Sequence, residues 1–179
     1  MVNQLRKIEM HNTTKIKVLT LLLGSFILLV GCQSKNKKNI EIMEKSKNKL
    51  DAIFPKGEKG SNELFTGNAF NYGLVAPDSV FTTAVGNVYF EPGARSNWHS
   101  HPAGQILIIT DGVGYHQIEG GPIETIKKGD VVKCPPNVNH WHGASPDVGL
   151  QQLYIVPNVE KGIVDWKEAV TDKEYLKEK

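Results

Sequence analysis

From Leu64 onward, apolar and β-branched residues fall in short runs that alternate with polar positions and are separated by turn-forming residues. A period of two places successive side chains on opposite faces of a strand, so each run predicts a β-strand. Gly120-Gly121-Pro122 predicts a hairpin, and Asp111-Gly112 predicts a turn that ends the strand before it. Many short strands at this spacing predict an all-β sandwich or barrel. The predicted strands are residues 80–90, 105–110, 114–119, 123–127, 131–134, 140–142 and 150–156.

After the last predicted strand the pattern changes. Residues 165–170 have the i, i+4 apolar spacing of a short helix, with Trp166 on its apolar face. Thr171 and Glu174 have the spacing of a capping box, which predicts a further helical turn. We expect the aromatic side chains of this tail to pack on the barrel and not to build a site. The predicted boundaries are residues 61–157 for the barrel and residues 158–179 for a short C-terminal helical tail.

The N-terminal part has the pattern of a secretory signal. Lysines precede an apolar run from Val18 to Val30, which is shorter than the ~20 residues of an ordinary membrane-spanning helix. Leu29-Val30-Gly31-Cys32 then matches the bacterial lipobox, so we predict a lipoprotein signal peptide over residues 1–31 and a lipidated Cys32. An uncleaved anchor is the alternative, and Met10 is an alternative start. The pattern predicts an envelope lipoprotein that is anchored to a membrane and faces away from the cytoplasm.

Lysine is concentrated between the predicted lipidation site and the first strand. Residues 33–50 contain six lysines against two glutamates, with few apolar residues. This composition is typical of a tether, predicted over residues 32–60, whose charge suits an anionic bilayer; a merely solvated linker has the same composition. The formal net charge of the chain is only +2, and no basic cluster with interleaved aromatic residues occurs, which argues against a nucleic-acid partner.

Two histidine-containing stretches carry the candidate chemistry. His99 and His101 project from the same face of a strand because they are two residues apart, and Gln105 follows a Pro-Ala-Gly break. His140 lies downstream of a Gly-Asp turn. Three imidazoles and one amide oxygen predict a divalent-metal site with open positions, which favours Mn, Fe, Co, Ni or Cu over a closed tetrahedral zinc site. The alternative is a polar barrel interior that binds no metal.

These stretches resemble the two sequence motifs of the cupin superfamily. The first motif reads Gly, five residues, His-x-His, three or four residues and Glu; here it starts at Gly93 and has Gln105 in the Glu position. The second starts at Gly129, with Asn137 in place of Gly and Ala144 in place of the last Asn. Asn137 is a mild change because asparagine tolerates the left-handed conformation. The resemblance implies a double-stranded β-helix, the jelly roll of the cupins.

A closer resemblance rests on two longer strings of residues. His99-Ser100-His101-Pro102-Ala103-Gly104-Gln105 and His140-Trp141-His142-Gly143-Ala144 are similar to a subgroup of small bacterial cupins. The subgroup includes manganese-dependent hydroxynitrile lyases, which cleave (R)-mandelonitrile to benzaldehyde and cyanide. Cyanohydrin-cleaving members carry a histidine where this chain has Gln152, and glutamine cannot act as a general base. The implied residues are His99, His101, Gln105 and His140 as metal ligands, and Gly86, Val88, Ser96, Gln152 and Val156 in the substrate pocket. His142 matches a pocket histidine beside the metal, and its position two residues from His140 on one strand face makes it the acid/base candidate; a packed or solvent-facing histidine is the alternative.

The function implied by this resemblance is a metal-dependent lyase reaction on a small oxygenated substrate, with Mn(II), Fe(II) or another transition metal as the cofactor. A cupin that binds a metal and a small ligand without turnover is the first alternative. A cupin oxidoreductase is the second, and it ranks lower because the neutral Gln105 leaves the site more positive, which disfavours further oxidation of the metal.

Three further expectations concern residues outside this set. Cys134 is the only cysteine after the lipobox, which excludes an intramolecular disulfide in the mature chain, and we expect it to be a small buried hydrophobe. His116 has no histidine two residues away, as His142 has in His140, and is expected on the surface of a strand. A homodimer or homotetramer is expected, with the segment from Phe65 to Leu74 crossing to a second copy, because open strand edges invite pairing.

Overall fold

Twelve short antiparallel strands and one helical turn form the fold in a computed structural model, which describes residue 50 and residues 52–176. The predicted signal peptide, Cys32 and most of the predicted tether lie outside the described residues. Among the residues described, no helix has the length and apolarity to span a bilayer. In chain order the elements are β1 (Glu58–Lys59), β2 (Phe65–Thr66), β3 (Ala69–Val75), β4 (Ala84–Phe90), β5 (Arg95–Ser96), β6 (His99–Ser100), β7 (Gln105–Ile118), β8 (Ile123–Lys127), β9 (Val131–Cys134), β10 (His140–Ala144), β11 (Leu150–Val156), β12 (Asp165–Trp166) and α1 (Asp172–Tyr175), with a 3₁₀ turn at Val159–Lys161 between β11 and β12.

The strands form two curled sheets that share β7, which is the double-sheet jelly roll expected from the sequence. The first sheet has the order β1-β3-β4-β11-β7-β9. In the second sheet β10 is central: it pairs with β5, β6 and the second part of β7, while β2, β12 and β8 pair with those three strands. Inner faces of both sheets supply the main core, and its largest fully buried apolar members are Phe90, Leu107, Ile109 and Leu150.

One long strand replaces the two that the sequence predicts around Asp111-Gly112. Gln151 pairs with Asp111 and Gln152 pairs with Ile109, so a bulge leaves Thr110 with no residue directly opposite it on β11. Gly112 has a φ of +85°, and a Cβ atom there would lie 2.0 Å from the Gly149 carbonyl oxygen. The bulge and the glycine therefore bend β7 from one sheet into the other without ending it, and only glycine fits the bend.

The C-terminal tail differs from its prediction in one half and agrees in the other. The prediction of a helix over residues 165–170 is wrong. Residues 165–166 are extended and form β12, because they pair with the open edge of β6, where Asp165 lies opposite Ser100. The capping box is confirmed, since the Thr171 hydroxyl accepts from the Glu174 amide and the Glu174 carboxylate accepts from the Thr171 amide. This box starts α1, and Tyr175 of α1 is buried.

The segment that the sequence places across to a second copy pairs within its own chain. It forms β2, which pairs with β5, and β3, which pairs with β1 and β4. Each of these strands therefore has hydrogen-bond partners without a second subunit. The homodimer or homotetramer stays a prediction, and strand exchange by this segment is not needed to complete the sheets.

Candidate metal centre and cavity

The histidines predicted from the two motifs meet on the inner face of the second sheet. His99 of β6 lies directly opposite His140 of β10 in the antiparallel register, and their ring centroids are 4.4 Å apart. His101 follows β6 by one residue, and its ring centroid is 5.2 Å from that of His99. His142 lies two residues beyond His140 on the same face, 5.1 Å from His99. The sheet register thus joins residues that are about 40 positions apart in the sequence.

Three of these imidazoles are oriented by backbone carbonyl groups. Nδ1 of His99 lies 2.9 Å from the Asn97 oxygen, and Nδ1 of His140 lies 3.0 Å from the Val138 oxygen. Nδ1 of His101 lies 2.5 Å from the Ile163 oxygen. A carbonyl can only accept, so Nδ1 carries the proton and donates it in all three rings. Each Nε2 then has a free lone pair, which is how proteins orient histidine ligands toward a metal.

Gln105, at the start of β7, brings its side-chain oxygen to the same place. Oε1 lies 3.2 Å from Nε2 of His140, and neither atom can donate in this arrangement. The Nε2 atom of His101 is buried without a hydrogen-bond partner among the described residues. Several acceptor atoms that face one another without a donor fit a bound cation. His99, His140 and His142 also offer ring nitrogens that all lie within 4.8 Å of one another, and this three-histidine cluster indicates a divalent-metal site.

A mostly apolar cavity of about 330 Å³ opens over this cluster. His99, His101, Gln105 and His142 supply its polar end, and aliphatic and aromatic side chains supply most of the remaining wall. A ligand in this space would place an apolar body against the wall and a polar group at the histidines. The wall consists of Gly60, Ser61, Leu64, Phe65, Asn71, Val88, Tyr154, Val156, Ile163, Val164 and Trp166.

The five pocket residues implied by the sequence divide into two groups. Val88 and Val156 line the cavity. Gly86, Ser96 and Gln152 instead support groups that line it. A Cβ atom at Gly86 would lie 2.3 Å from the Tyr154 hydroxyl, the Ser96 hydroxyl accepts from the His142 amide at 3.2 Å, and Gln152 Nε2 lies 2.8 Å from His142 Nδ1.

Comparison with known proteins supports the same fold. The profile of the cupin domain matches residues 86–154. An (R)-mandelonitrile lyase from Granulicella tundricola is 47% identical over 118 residues, which cover 65% of this chain and 89% of that protein. The chain belongs to the cupin superfamily. A cupin-like protein from Thermotoga maritima, known from a crystal structure, is 52% identical to this cupin. The match covers 70% of this chain and 95% of the Thermotoga chain, with a TM-score of 0.68. A cupin barrel protein from Rhodopseudomonas palustris shares the fold at 20% identity and a TM-score of 0.52, with 65% and 78% of the two chains covered.

Burial keeps the histidines of this cupin neutral. Loss of hydration lowers the pKa of His101 and lowers the pKa values of His99 and His142 well below the ordinary 6.5, with neighbouring imidazoles adding to the effect on the latter two. Burial lowers the pKa of His140 to about 4. Neutral imidazoles have a free ring nitrogen at pH 7, so the cluster can bind a cation without first losing protons.

The metal-free protein is expected to lose stability as the pH falls from 7 to 5. The unfolded chain binds a proton at His140 below pH 6.5, whereas the folded chain binds it only near pH 4, so acid favours unfolding. This one group lowers the free energy of unfolding by about 2 kcal/mol at pH 5, and the other buried histidines act in the same direction. Urea unfolding of chelator-treated protein at both pH values measures the change. The same loss in a His140→Gln variant would contradict the assignment to His140.

Sequence reasoning missed the contribution of the C-terminal tail to the site. The Trp166 ring lies 4.9 Å from the His99 ring and lines the cavity, and the Ile163 carbonyl orients His101. The expectation that the tail aromatics build no part of a site is therefore wrong for Trp166. Nothing in the local sequence marks these residues, because their role depends on the pairing of β12 with β6.

His116 is the second residue that the sequence placed wrongly. It is 1% exposed, on the inner face of β7. Its Nε2 atom lies 3.6 Å from the Cys134 sulfur, and its ring centroid lies 5.9 Å from that of His140. The buried position predicted for Cys134 is confirmed at 3% exposure, and burial raises the pKa of its thiol to about 12. Cys134 is therefore a neutral thiol in the core.

Proposed function

We propose that this cupin is a metal-dependent lyase that breaks or forms a C–C bond beside an oxygen-bearing carbon of a small substrate, in the manner of a hydroxynitrile lyase. The observation that carries the proposal is the position of the histidine cluster at the polar end of an apolar cavity. The 47% identity with an (R)-mandelonitrile lyase supports the choice of reaction. An aromatic cyanohydrin fits this geometry because it has one apolar ring and one polar carbon.

His99, His101, Gln105 and His140 would hold the metal, with Mn(II) or Fe(II) as the proposed ion. A bound divalent ion would supply a Lewis acid for an oxygen atom of the substrate. Gln105 contributes a neutral oxygen, so the site has one more positive charge than it would have with a glutamate, and this favours binding of an anionic oxygen. Three imidazoles and one amide would leave coordination positions free for an oxygen atom of the substrate.

The remaining side chains position the substrate and handle its proton. His142 lines the cavity beside the cluster, so its Nε2 atom would form a hydrogen bond with the substrate oxygen. In cleavage the hydroxyl proton leaves that oxygen as the C–C bond breaks and ends on the released cyanide, so the products are an aldehyde and hydrogen cyanide. The apolar wall around Phe65, Val88 and Trp166 holds the ring of the substrate and excludes water, which strengthens the polar interactions at the histidines.

The purified protein with added Mn(II) is expected to cleave (R)-mandelonitrile weakly, and Gln152→His is expected to raise the rate at least about tenfold. The reason is that glutamine beside His142 cannot accept a proton, whereas histidine can. Release of benzaldehyde, followed with and without chelator, measures both rates. No chelator-sensitive cleavage by either protein would rule out the lyase proposal and leave the metal site intact.

A binding cupin without turnover is the second candidate, and Gln152 is the observation that favours it. This fully buried amide occupies the place beside His142 where the lyase reaction would benefit from a base. Metal binding together with ligand affinity but no turnover on cyanohydrins, aldehydes or quinols would support this reading over the lyase.

We also propose that Cys32 carries a lipid that anchors the domain to the cell envelope. The lipobox and the lysine-rich stretch after it support this proposal. Cys32→Ser is expected to move the protein from the membrane fraction to the soluble fraction, because the acyl chains supply the binding energy. Fractionation followed by immunoblotting measures the change, and unchanged membrane retention of the variant would contradict it.

A further inference from the structure

Gln152 and His142 form a buried pair whose outer atoms have no partner. Gln152 is fully buried and His142 is 5% exposed, and Nε2 of Gln152 lies 2.8 Å from Nδ1 of His142. At the two far ends, Oε1 of Gln152 and Nε2 of His142 are buried without a hydrogen bond to any described residue. His142 lines the cavity, and Nε2 is its ring nitrogen that no described residue engages.

His142 differs from the three other histidines of the site in what its Nδ1 atom meets. Nδ1 faces a carbonyl oxygen in His99, His101 and His140, so it must donate there. In His142 it faces an amide nitrogen, which can only donate, so this Nδ1 must accept. A neutral imidazole has one N–H group, and in His142 that group is therefore at Nε2.

The orientation of the Gln152 amide is the step on which this assignment depends, since amide oxygen and nitrogen are told apart by their hydrogen bonds. With Nε2 toward His142, the buried carbonyl oxygen is the group left without a partner. The reverse orientation would leave the whole NH₂ group unpaired. Orphaned buried N–H groups are rarer than carbonyl oxygens with unused capacity, so the observed orientation is the better one.

We propose that Gln152 holds His142 as the Nε2–H tautomer, which makes His142 a hydrogen-bond donor to an acceptor oxygen of the ligand and keeps it out of the metal ligand set. Gln152 is then a positioning residue that acts through His142. The site then favours a ligand that places a carbonyl oxygen beside His142, such as an aldehyde. It disfavours an alcohol, whose hydroxyl hydrogen would need an acceptor there. The inference rests on the proposed function only in placing the substrate in this cavity.

Nitrogen NMR of the imidazole rings tests the tautomer directly. Two-bond ¹H–¹⁵N spectra of the full-length protein loaded with diamagnetic Zn(II) are expected to show His142 protonated at Nε2, with the signal assigned by its absence in His142→Gln. Gln152→Glu is expected to switch it to Nδ1–H, because a carboxylate accepts from that atom. The matched control is Gln151→Leu, an equally buried neighbour whose side chain contacts Thr110 and not His142, and it should leave the tautomer unchanged. His142 protonated at Nδ1 in the unmodified protein would overturn the inference.

If Gln152→Glu does not fold, Gln152→Met offers similar volume without a donor and is expected to give a mixture of both tautomers. An unchanged pure Nε2–H signal in Gln152→Met would show that Gln152 does not set the tautomer, and so would also overturn the inference.

The ligand preference supplies a second readout that needs no turnover. Calorimetric titration with benzaldehyde and with benzyl alcohol is expected to give an affinity ratio that favours benzaldehyde in the unmodified protein. The ratio should fall about tenfold in Gln152→Glu, which corresponds to reversing one hydrogen bond. An unchanged ratio would refute the proposed ligand class. A protein that shows the tautomer and the ratio but cleaves no cyanohydrin would keep this inference and lose the lyase proposal.

Discussion

Replacing His140 by alanine is expected to lower the affinity for the divalent metal at least about 100-fold and to abolish any metal-dependent turnover. His140 is fully buried, its ring lies closest to that of His99, and its Nε2 atom faces Gln105. Its removal takes away one ligand and leaves a gap between His99 and Gln105, so the remaining ligands cannot surround an ion. Titration of chelator-treated protein with Mn(II), followed by metal analysis after gel filtration, measures the loss.

Matched variants separate the two sets of ligands that the geometry allows. His142→Ala should keep the metal and lose activity, because the Gln152 amide leaves the ring proton of His142 on Nε2, which then has no lone pair for a metal. His101→Ala should lose the metal, because its buried Nε2 atom has no other described partner. If His142→Ala loses the metal as completely as His140→Ala, the ligands are instead His99, His140 and His142.

Arg95→Leu is expected to lower the free energy of unfolding by about 3 kcal/mol and to weaken metal binding as well. The buried guanidinium donates from Nε and Nη2 to the Val170 carbonyl and lies 4.5 Å from the ring of Tyr175. Leucine would leave that carbonyl unpaired and release the tail. The same tail carries Ile163, which orients His101, so loosening it should reach the metal site.

Two milder variants identify the source of this effect. Asp172→Asn should cost less than about 1 kcal/mol, because the carboxylate that pairs with Arg95 is 84% exposed and its charge is screened by solvent. Tyr175→Phe should cost about 1 kcal/mol by removing the hydrogen bond from its hydroxyl to the Ala144 carbonyl. Urea unfolding measures all three. Equal losses in Arg95→Leu and Asp172→Asn would show that the ion pair matters more than the buried contacts.

Local chemistry made most of the fold readable from the sequence. The strands over residues 123–127 and 150–156 were predicted with their observed bounds, because period-two patterns and glycine turns act over a few residues. Asn137 was accepted in place of the glycine of the motif, and its φ of +60° shows the left-handed conformation expected there. That His99 and His101 share one strand face likewise needed only the strand period.

The errors share a different cause, which is pairing between distant segments. The bulge at Thr110 reverses which side chains of β7 face inward, so Ile109 and His116 lie on the same side although they differ in parity, and no reading of alternation along the chain can detect that. The extended form of β12 depends on pairing with the free edge of β6, and the local propensity of residues 165–166 carries no information about that edge.

By itself the sequence determined the all-β class, because strand periodicity is a property of neighbouring residues, and its resemblance to the two cupin motifs implied the jelly roll and the residues of the histidine cluster. Only the tertiary structure decided how those residues are used. Backbone carbonyls of Asn97, Val138 and Ile163 set the ring orientation of three histidines, and Gln152 sets that of the fourth. Hydrogen-bond polarity in a site depends on which atoms the fold brings within about 3 Å, and sequence spacing does not specify this for residues on different strands.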